Sequence, residues 1–576
     1  MKAFIIFLGT ILMLANAMQL SAQPGSKDSS DYHAKVTVIT TYDPSLMDFP
    51  KKQFSPVVEN VEIPKATMKY SVFAQPLKIG YQTKPITAAK MSGEAFSELY
   101  GNYLRVGFGT GRSPYGELFV NTKRDKKKSF GLHMKHFSSN GKIPEYAYAG
   151  FSDNEVDVYG SLIKPKYTIS GKMFFERDVV HYYGFKPDSL TLPLDSTEWL
   201  STDKDDIKQR YNDAGGRLSW YSTHADSSHL NYHTDLEYHY FWNIYNATEN
   251  SIKVSGFLNK RVDWLKKVSK DQMVGLRYDG EHYFQNRGFE TFNAGKVDLA
   301  PYISTTTGPL FIEISPKITL ETDSTSQAHF FPEIRLELNL LPGILSAFGG
   351  LDGELKYHSF RSLANENPFI HHFVRSDYSK TTQMLYGGIR GSIARSFSYT
   401  IMASNRKIDN CPLFVIDDSL SYLENQMTLV YDQKVSWFRG EFNGVLQIGN
   451  KWKGLLMVAY NQAEAVSNDK AYNIPDFEGM LGLGYNIGDK IMLSTRVYYI
   501  GKRYAKVNYG NIMTFVAIPP TELKPAFDAN LSIEYKYSKV LSAFLEFSNI
   551  AAQRYMLWDH YPTYRFRFLG GVTYSF

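Results

Sequence analysis

The closing stretch of the chain, Tyr564 to Phe576 (YRFRFLGGVTYSF), constrains the fold more than any other. Tyr564, Phe566, Phe568, Gly570, Val572, Tyr574 and Phe576 take alternate positions and are apolar, aromatic or Gly. Between them Arg565, Arg567, Gly571, Thr573 and Ser575 are polar or small, with Leu569 the exception. Successive side chains of a strand point to opposite faces, so this period of two predicts one greasy and one polar face. A long amphipathic strand closing on an aromatic residue suits the last strand of a membrane β-barrel. On a soluble protein such an edge invites aggregation.

Composition narrows the class. A mean hydropathy of −0.31 and 43% hydrophobic residues argue against a bundle of spanning helices, and no internal run reaches the roughly 18 apolar residues that such a helix needs. Forty-one Tyr and 38 Phe suit the aromatic girdles of a barrel. The net charge of +5 is spread thinly and predicts no nucleic-acid partner. Cys411 is the single cysteine, which excludes an intrachain disulfide, a Cys-based metal site and lipid attachment near the N-terminus. Lys2, the apolar run Ala3 to Leu14, and small residues at Ala15-Asn16-Ala17 or Ser21-Ala22 read as a signal peptide over 1–22. Export followed by strands predicts the outer membrane.

Residues 23–97 are punctuated by Pro44, Pro50, Pro56, Pro64, Pro76 and Pro85, and read as a periplasmic or lumenal arm. From about Glu98 amphipathic runs alternate with connectors. Short ones are Lys164-Pro165, Ala225 to Ser228, Pro342-Gly343, Gly449-Asn450-Lys451, Gly488-Asp489 and Ser538-Lys539. Long ones are 139–153, 184–208, 359–382, 408–424, 504–524 and 551–562. Ile334, Leu336, Leu338 and Leu340 alternate with Glu333, Arg335, Glu337 and Asn339, and Phe527 to Tyr537 alternate with Asp528 to Lys536 in the same way. The apolar set belongs on lipid and the charged set inside. The expected fold is all-β, a transmembrane antiparallel barrel over 98–576 with about 22 strands, in the range of about 18–24. The strand number is even if both ends lie in the periplasm, with the long loops extracellular.

The closing segment Asn549-Ile550, Arg554-Tyr555, Tyr561-Pro562, Gly570-Gly571 and Phe576, with a signal ending near Ala22-Gln23, resembles the TonB-dependent receptors of the Bacteroidetes type. The resemblance covers the barrel and implies transport or uptake across the outer membrane, with no enzymatic activity and no cofactor. It departs from the family before the first strand, where residues 23–96 are too few for a full plug domain. A second reading therefore stays open: a non-transporting barrel subunit of an outer-membrane assembly, export or surface-lipoprotein complex.

Candidate sites are few. Lys35, Val36, Thr37, Val38, Ile39 and Thr40 read as a TonB-box-like strand that adds to the sheet of a periplasmic energising partner, or as an ordinary edge strand. Phe566, Phe568, Val572, Tyr574 and Phe576 form the barrel-closure signal expected to be read by the barrel assembly machinery, on the face toward outer-membrane lipid. Gly107 to Gly111 (GFGTG) lacks the helix and Lys of a phosphate loop and reads as glycines relieving crowding. Lys123 to Lys128 reads as a solvated turn, and His371-His372 as an exposed loop pair that makes a poor metal site. Asp203, Asp205 and Asp206 lack the ligand spacing of a calcium loop. Arg335, Glu337, Glu534, Arg565 and Arg567 are expected to line the interior, where mixed charge implies no selectivity. Partners beyond lipid, the assembly machinery and the energising protein are other outer-membrane subunits and lipoproteins. No catalytic or metal-binding set stands out.

Overall fold

From Asn102–Gly109 to Arg567–Ser575, successive strands hydrogen-bond antiparallel in chain order, and the last pairs back onto the first. The sheet has 23 strands, of which the two-residue Val507–Asn508 runs parallel beside the end of Phe397–Asp417. The remaining 22 close the ring, as the alternation predicts. This computed structural model describes residues 100–576, apart from 124, 190–202, 224–228, 264–270, 289, 323–325, 395, 418–422 and 509–518. The signal peptide, the arm, the TonB-box-like strand at Lys35 to Thr40 and the Ala225 to Ser228 turn lie outside the described residues.

The two faces of the wall separate by chemistry. Ile314, Phe330 and Leu336 are outward and exposed. In the same strands Glu313 pairs across to Arg335 and Ser315 to Glu333, placing the charged set together on the other face. That face is the inside, because Asp213 on it takes an ion pair at 3.4 Å from Arg361, which belongs to a short helix within the mouth. An inward Leu row would be wetted and an outward Glu row would face hydrocarbon, so register is fixed by which face meets lipid.

Glycines set the seam. Gly107 of the first strand lies opposite Gly571 of the last. A Cβ at Gly107 would stand 3.0 Å, and one at Gly571 2.7 Å, from the ring of Phe544 in the neighbouring strand Leu541–Ser548. The ring therefore fills the space that the two missing side chains leave, and the Arg105 guanidinium stacks on it at 3.9 Å. The glycine-rich GFGTG stretch thus serves packing. Beyond it, Phe576 and Asn102 exchange backbone hydrogen bonds, both 3.0 Å.

Turns at one end of the ring are tight, including 164–166, 308–309, 342–344, 449–451 and 488–490. Gly488 and Asp489 both have positive φ, at 57° each, which is the turn that matches hairpin twist. The Lys123 to Lys128 run lies at this end, with the Lys127 N–H donating to Asp125 Oδ1 at 2.8 Å. All six long connectors fall at the other end, although 110–112 and 244–247 there are short too. Two boundaries differ from the sequence reading. The final strand is Arg567–Ser575, because Tyr564 turns away to donate from its hydroxyl to the Ala149 carbonyl at 2.5 Å. Residues 408–417 are strand rather than loop: Phe397–Asp417 and Met427–Ile448, of 21 and 22 residues, form one long hairpin. A tilted membrane strand needs only about 9–11 residues, so the hairpin stands well clear of the hydrocarbon at the loop end.

Candidate functional site

Three connectors dominate the loop end. Residues 182–207 leave the ring between its fifth and sixth strands, 358–377 between the thirteenth and fourteenth, and 549–566 between the last two. Around a ring of 22 they arise roughly a third of the circumference apart. Loops so placed can touch one another only over the interior.

They do touch. Tyr561 of the last loop stacks on Phe369 of the middle one with ring centroids 3.7 Å apart, and Tyr183 of the first meets Tyr561 edge-on at 5.0 Å. The Tyr182 hydroxyl donates to the Ile370 carbonyl at 2.9 Å, and Tyr183 donates to the Pro562 carbonyl at 3.0 Å. Asn425, at the tip of the long hairpin, ties both: its amide donates to the Tyr182 carbonyl at 2.8 Å, and its own carbonyl accepts from the Tyr561 hydroxyl. Tyr182 and Tyr561 are fully buried, and burial pushes both hydroxyls well above the ordinary tyrosine range. Buried hydroxyls without partners are costly, and each of these has one.

Below this junction the helix Phe360–Glu366 begins at Ser359, whose side chain accepts from the Ser362 N–H at 3.2 Å. Phe360 and Leu363 pack against Tyr211 and Phe241 of the inner wall. His371 follows. It is 7% exposed rather than exposed as expected, because the loop turns inward and its backbone N–H donates to the Met427 carbonyl at 2.8 Å. Its Nδ1 accepts the Phe373 N–H at 3.1 Å, which requires a neutral ring. Burial first, then the charge of His372, push the His371 pKa down to about 4. His372 stacks on Tyr245 at 5.0 Å.

The inner wall is charged, and many of its charges pair across strands. Lys253 reaches Asp279 at 3.0 Å, Lys296 reaches Asp298 at 3.0 Å, and Lys317 reaches Glu333 at 2.6 Å. Arg277 bridges Glu313 at 2.7 Å and Glu333 at 2.9 Å. Glu337 pairs with Arg390, and Glu534 accepts from the Ser542 hydroxyl at 2.6 Å. Among the described residues, His133, Glu155 and Asp157 are the one set that brings three metal-ligating groups together, and the Lys172 ammonium at 3.0 Å already neutralises Asp157. Asp203 to Asp206 form a backbone turn, with Asp205 and Asp206 exposed.

Of the residues expected to form a closure signal, Phe568, Val572 and Tyr574 lie in the last strand, with Phe566 just before it and Phe576 just after. Phe566, Val572, Tyr574 and Phe576 are exposed on the outer face. Arg567 stacks on Tyr564, Phe151 and Phe137, and Arg565 sits at the rim rather than inside. Sequence reasoning missed the meeting of the loops. The only local hint was the aromatic density of Tyr182-Tyr183, Phe369 and Tyr561.

No protein-family model matches the chain, and no curated protein matches it in sequence. Solved structures do resemble it. The FrpB iron transporter from Neisseria meningitidis aligns with a TM-score of 0.60 at 9% identity, covering 83% of this chain and 82% of that one. A ferric enterobactin receptor (PfeA) mutant from Pseudomonas aeruginosa gives 0.57 at 13%, covering 82% and 80%. The siderophore receptor PirA from Acinetobacter baumannii gives 0.58 at 9%, covering 84% and 81%. At these identities the likeness is one of fold.

Proposed function

We propose that the protein is an outer-membrane barrel for transport or uptake, related in design to TonB-dependent receptors, with residues 1–22 as signal, 23–97 as arm and 98–576 as barrel. The carrying observation is the mouth: loops from three thirds of the ring interlock over a wide polar interior. A lid of that kind has a purpose where passage is controlled. In this reading the lid faces outside, the tight turns and the C-terminus face the periplasm, and Lys35 to Thr40 contact a periplasmic energising protein. Because the structural neighbours named above include a ferric enterobactin receptor, an iron transporter and a siderophore receptor, iron-siderophore cargo is the first class to test.

Purification in mild detergent, followed by conductance in planar bilayers, tests this reading. The expected outcome is a barrel without a stoichiometric partner, whose low conductance rises when Tyr561→Ala loosens the lid. A stoichiometric complex around a barrel that stays silent in that variant would favour the subunit reading instead.

A further inference from the structure

At the rim, beside the seam, a cleft of about 260 Å³ opens between the 140–150 loop and the segment leading into the last strand. Four cations line it: Lys142, Arg554, Arg565 and Arg567. Their countercharge is small. The carboxylate of Glu145 lies 3.9 Å from Arg554 and is already engaged at 2.7 Å by Lys186. Arg567 is held by aromatic rings and donates to the Ser113 hydroxyl at 3.3 Å; Asp153 attracts it from beyond contact, and among the described residues no carboxylate lies in ion-pair range. Among the described residues, the Nε of Arg554 is buried without a hydrogen-bond partner. Lys142 and Arg565 are exposed and make no ion pair among the described residues. Inner-wall cations such as Lys253, Lys296, Lys317 and Arg277 are matched by carboxylates across strands, whereas here four cations gather beside one carboxylate already engaged by Lys186.

We infer that this cleft binds a phosphate-bearing ligand. Like charges gathered in a partly desolvated pocket repel one another, and an anion relieves that repulsion while gaining charge-assisted hydrogen bonds. Guanidinium forks match phosphate oxygens in pairs, a lysine adds a point charge, and the Thr110 and Tyr564 side chains complete the lining. Sites for drug-sized molecules run to about 300–1,000 Å³, so a cleft of about 260 Å³ suits a headgroup rather than a whole cargo. Phe566, which lines the cleft, also belongs to the exposed outer face. A phosphate carried on a lipid of the surrounding leaflet therefore has access, as does one in solution.

The test uses the full-length protein in a non-ionic, phosphate-free detergent. Calorimetric titrations employ inorganic phosphate, micelles carrying phosphatidic acid, and micelles carrying diacylglycerol as the phosphate-free control. Saturable binding is expected for phosphatidic acid or inorganic phosphate, weakening with salt. Binding of the lipid alone identifies a leaflet source, and binding of the free anion identifies a soluble one. The double variant Lys142→Ala with Arg565→Ala is expected to bind about tenfold more weakly or worse, the loss of at least one charge-assisted bond. Arg565→Lys, which keeps the charge, is expected to retain most of the affinity. Both residues are exposed, and heat-shifted gel migration verifies that the variants are folded. Absence of binding to both phosphate probes, equal binding of diacylglycerol, or full affinity in the folded double variant would each overturn the inference.

Discussion

In the wall, the 22 ring strands bond to their neighbours, and apart from the short parallel pairing of Val507–Asn508 with the end of Phe397–Asp417, the long-range pairing among the described residues is the seam between Asn102–Gly109 and Arg567–Ser575. At the mouth almost every tie is long-range. Tyr182 bonds a residue 188 positions away and Tyr183 one 379 away, while His560 reaches Glu424 across 136. The wall is held by a backbone ladder that tolerates many side chains. The lid is held by a few buried aromatic rings and side-chain-to-backbone bonds, so single substitutions remove a large share of it. The two regions should therefore fail separately: the wall by losing the protein, the lid by opening while the barrel persists.

Deleting Phe576 is expected to have the largest effect, since it removes both terminal bonds to Asn102 at the one place where the ring must close. Outer-membrane levels should fall several-fold, more than for any loop change. Immunoblots of outer-membrane fractions read this directly, and normal levels would dissolve the distinction. Tyr561→Ala should do the opposite, leaving levels intact. Loss of a buried aromatic costs roughly 3 kcal/mol, so amides of 369–374 should exchange about 100-fold faster, while strand amides stay slow.

Acid acts on the lid in a graded way. His371 is neutral when the loop is docked, with its pKa held down to about 4, and it regains its ordinary value of 6.5 when released. The released state thus binds more protons between these values, so lid stability is full above pH 6.5 and falls as pH drops toward 4. At pH 5 the loss is on the order of 2 kcal/mol. His358, pushed down to about 3 by burial, adds to the same trend. Hydrogen exchange at matched intrinsic rates should show 358–377 loosening at pH 5, and His371→Gln should blunt the change. The smallest effect is expected in the wall. Glu333→Gln removes the carboxylate shared by Arg277 and Lys317 but leaves Glu313 and Asp352 as partners, for about 1 kcal/mol in a urea midpoint.

The same contrast explains what the sequence made legible. Alternation such as Ile334 and Leu336 against Glu333 and Arg335 is local, and so is the Gly488-Asp489 turn. Both carry the fold, because wall contacts repeat a neighbour rule. The stretch Asp409-Asn410-Cys411-Pro412 looks like a turn, and Asn410 does have a left-handed φ of 54°. The ladder nevertheless runs through from Asp409 opposite Lys434 to Cys411 opposite Asp432, since the apolar run to Ile416 has a long partner strand. The burial of His371 and the meeting of Tyr182, Phe369 and Tyr561 follow from where three loops leave a closed ring, which no window of residues contains. The cationic cleft was hidden for the same reason. Arg565 and Arg567 alternate as if both faced the interior, yet the strand begins only at Arg567.

The central claim is that the three loops are interlocked in the protein without cargo. Hydrogen exchange on the full-length, cargo-free barrel in detergent tests it most directly, at the amides of Tyr182, His371 and Val374, which donate to Ile207, Met427 and His371 carbonyls. The account predicts protection close to that of the wall strands at the same end. Exchange at the rate of an unstructured chain at those amides would contradict it.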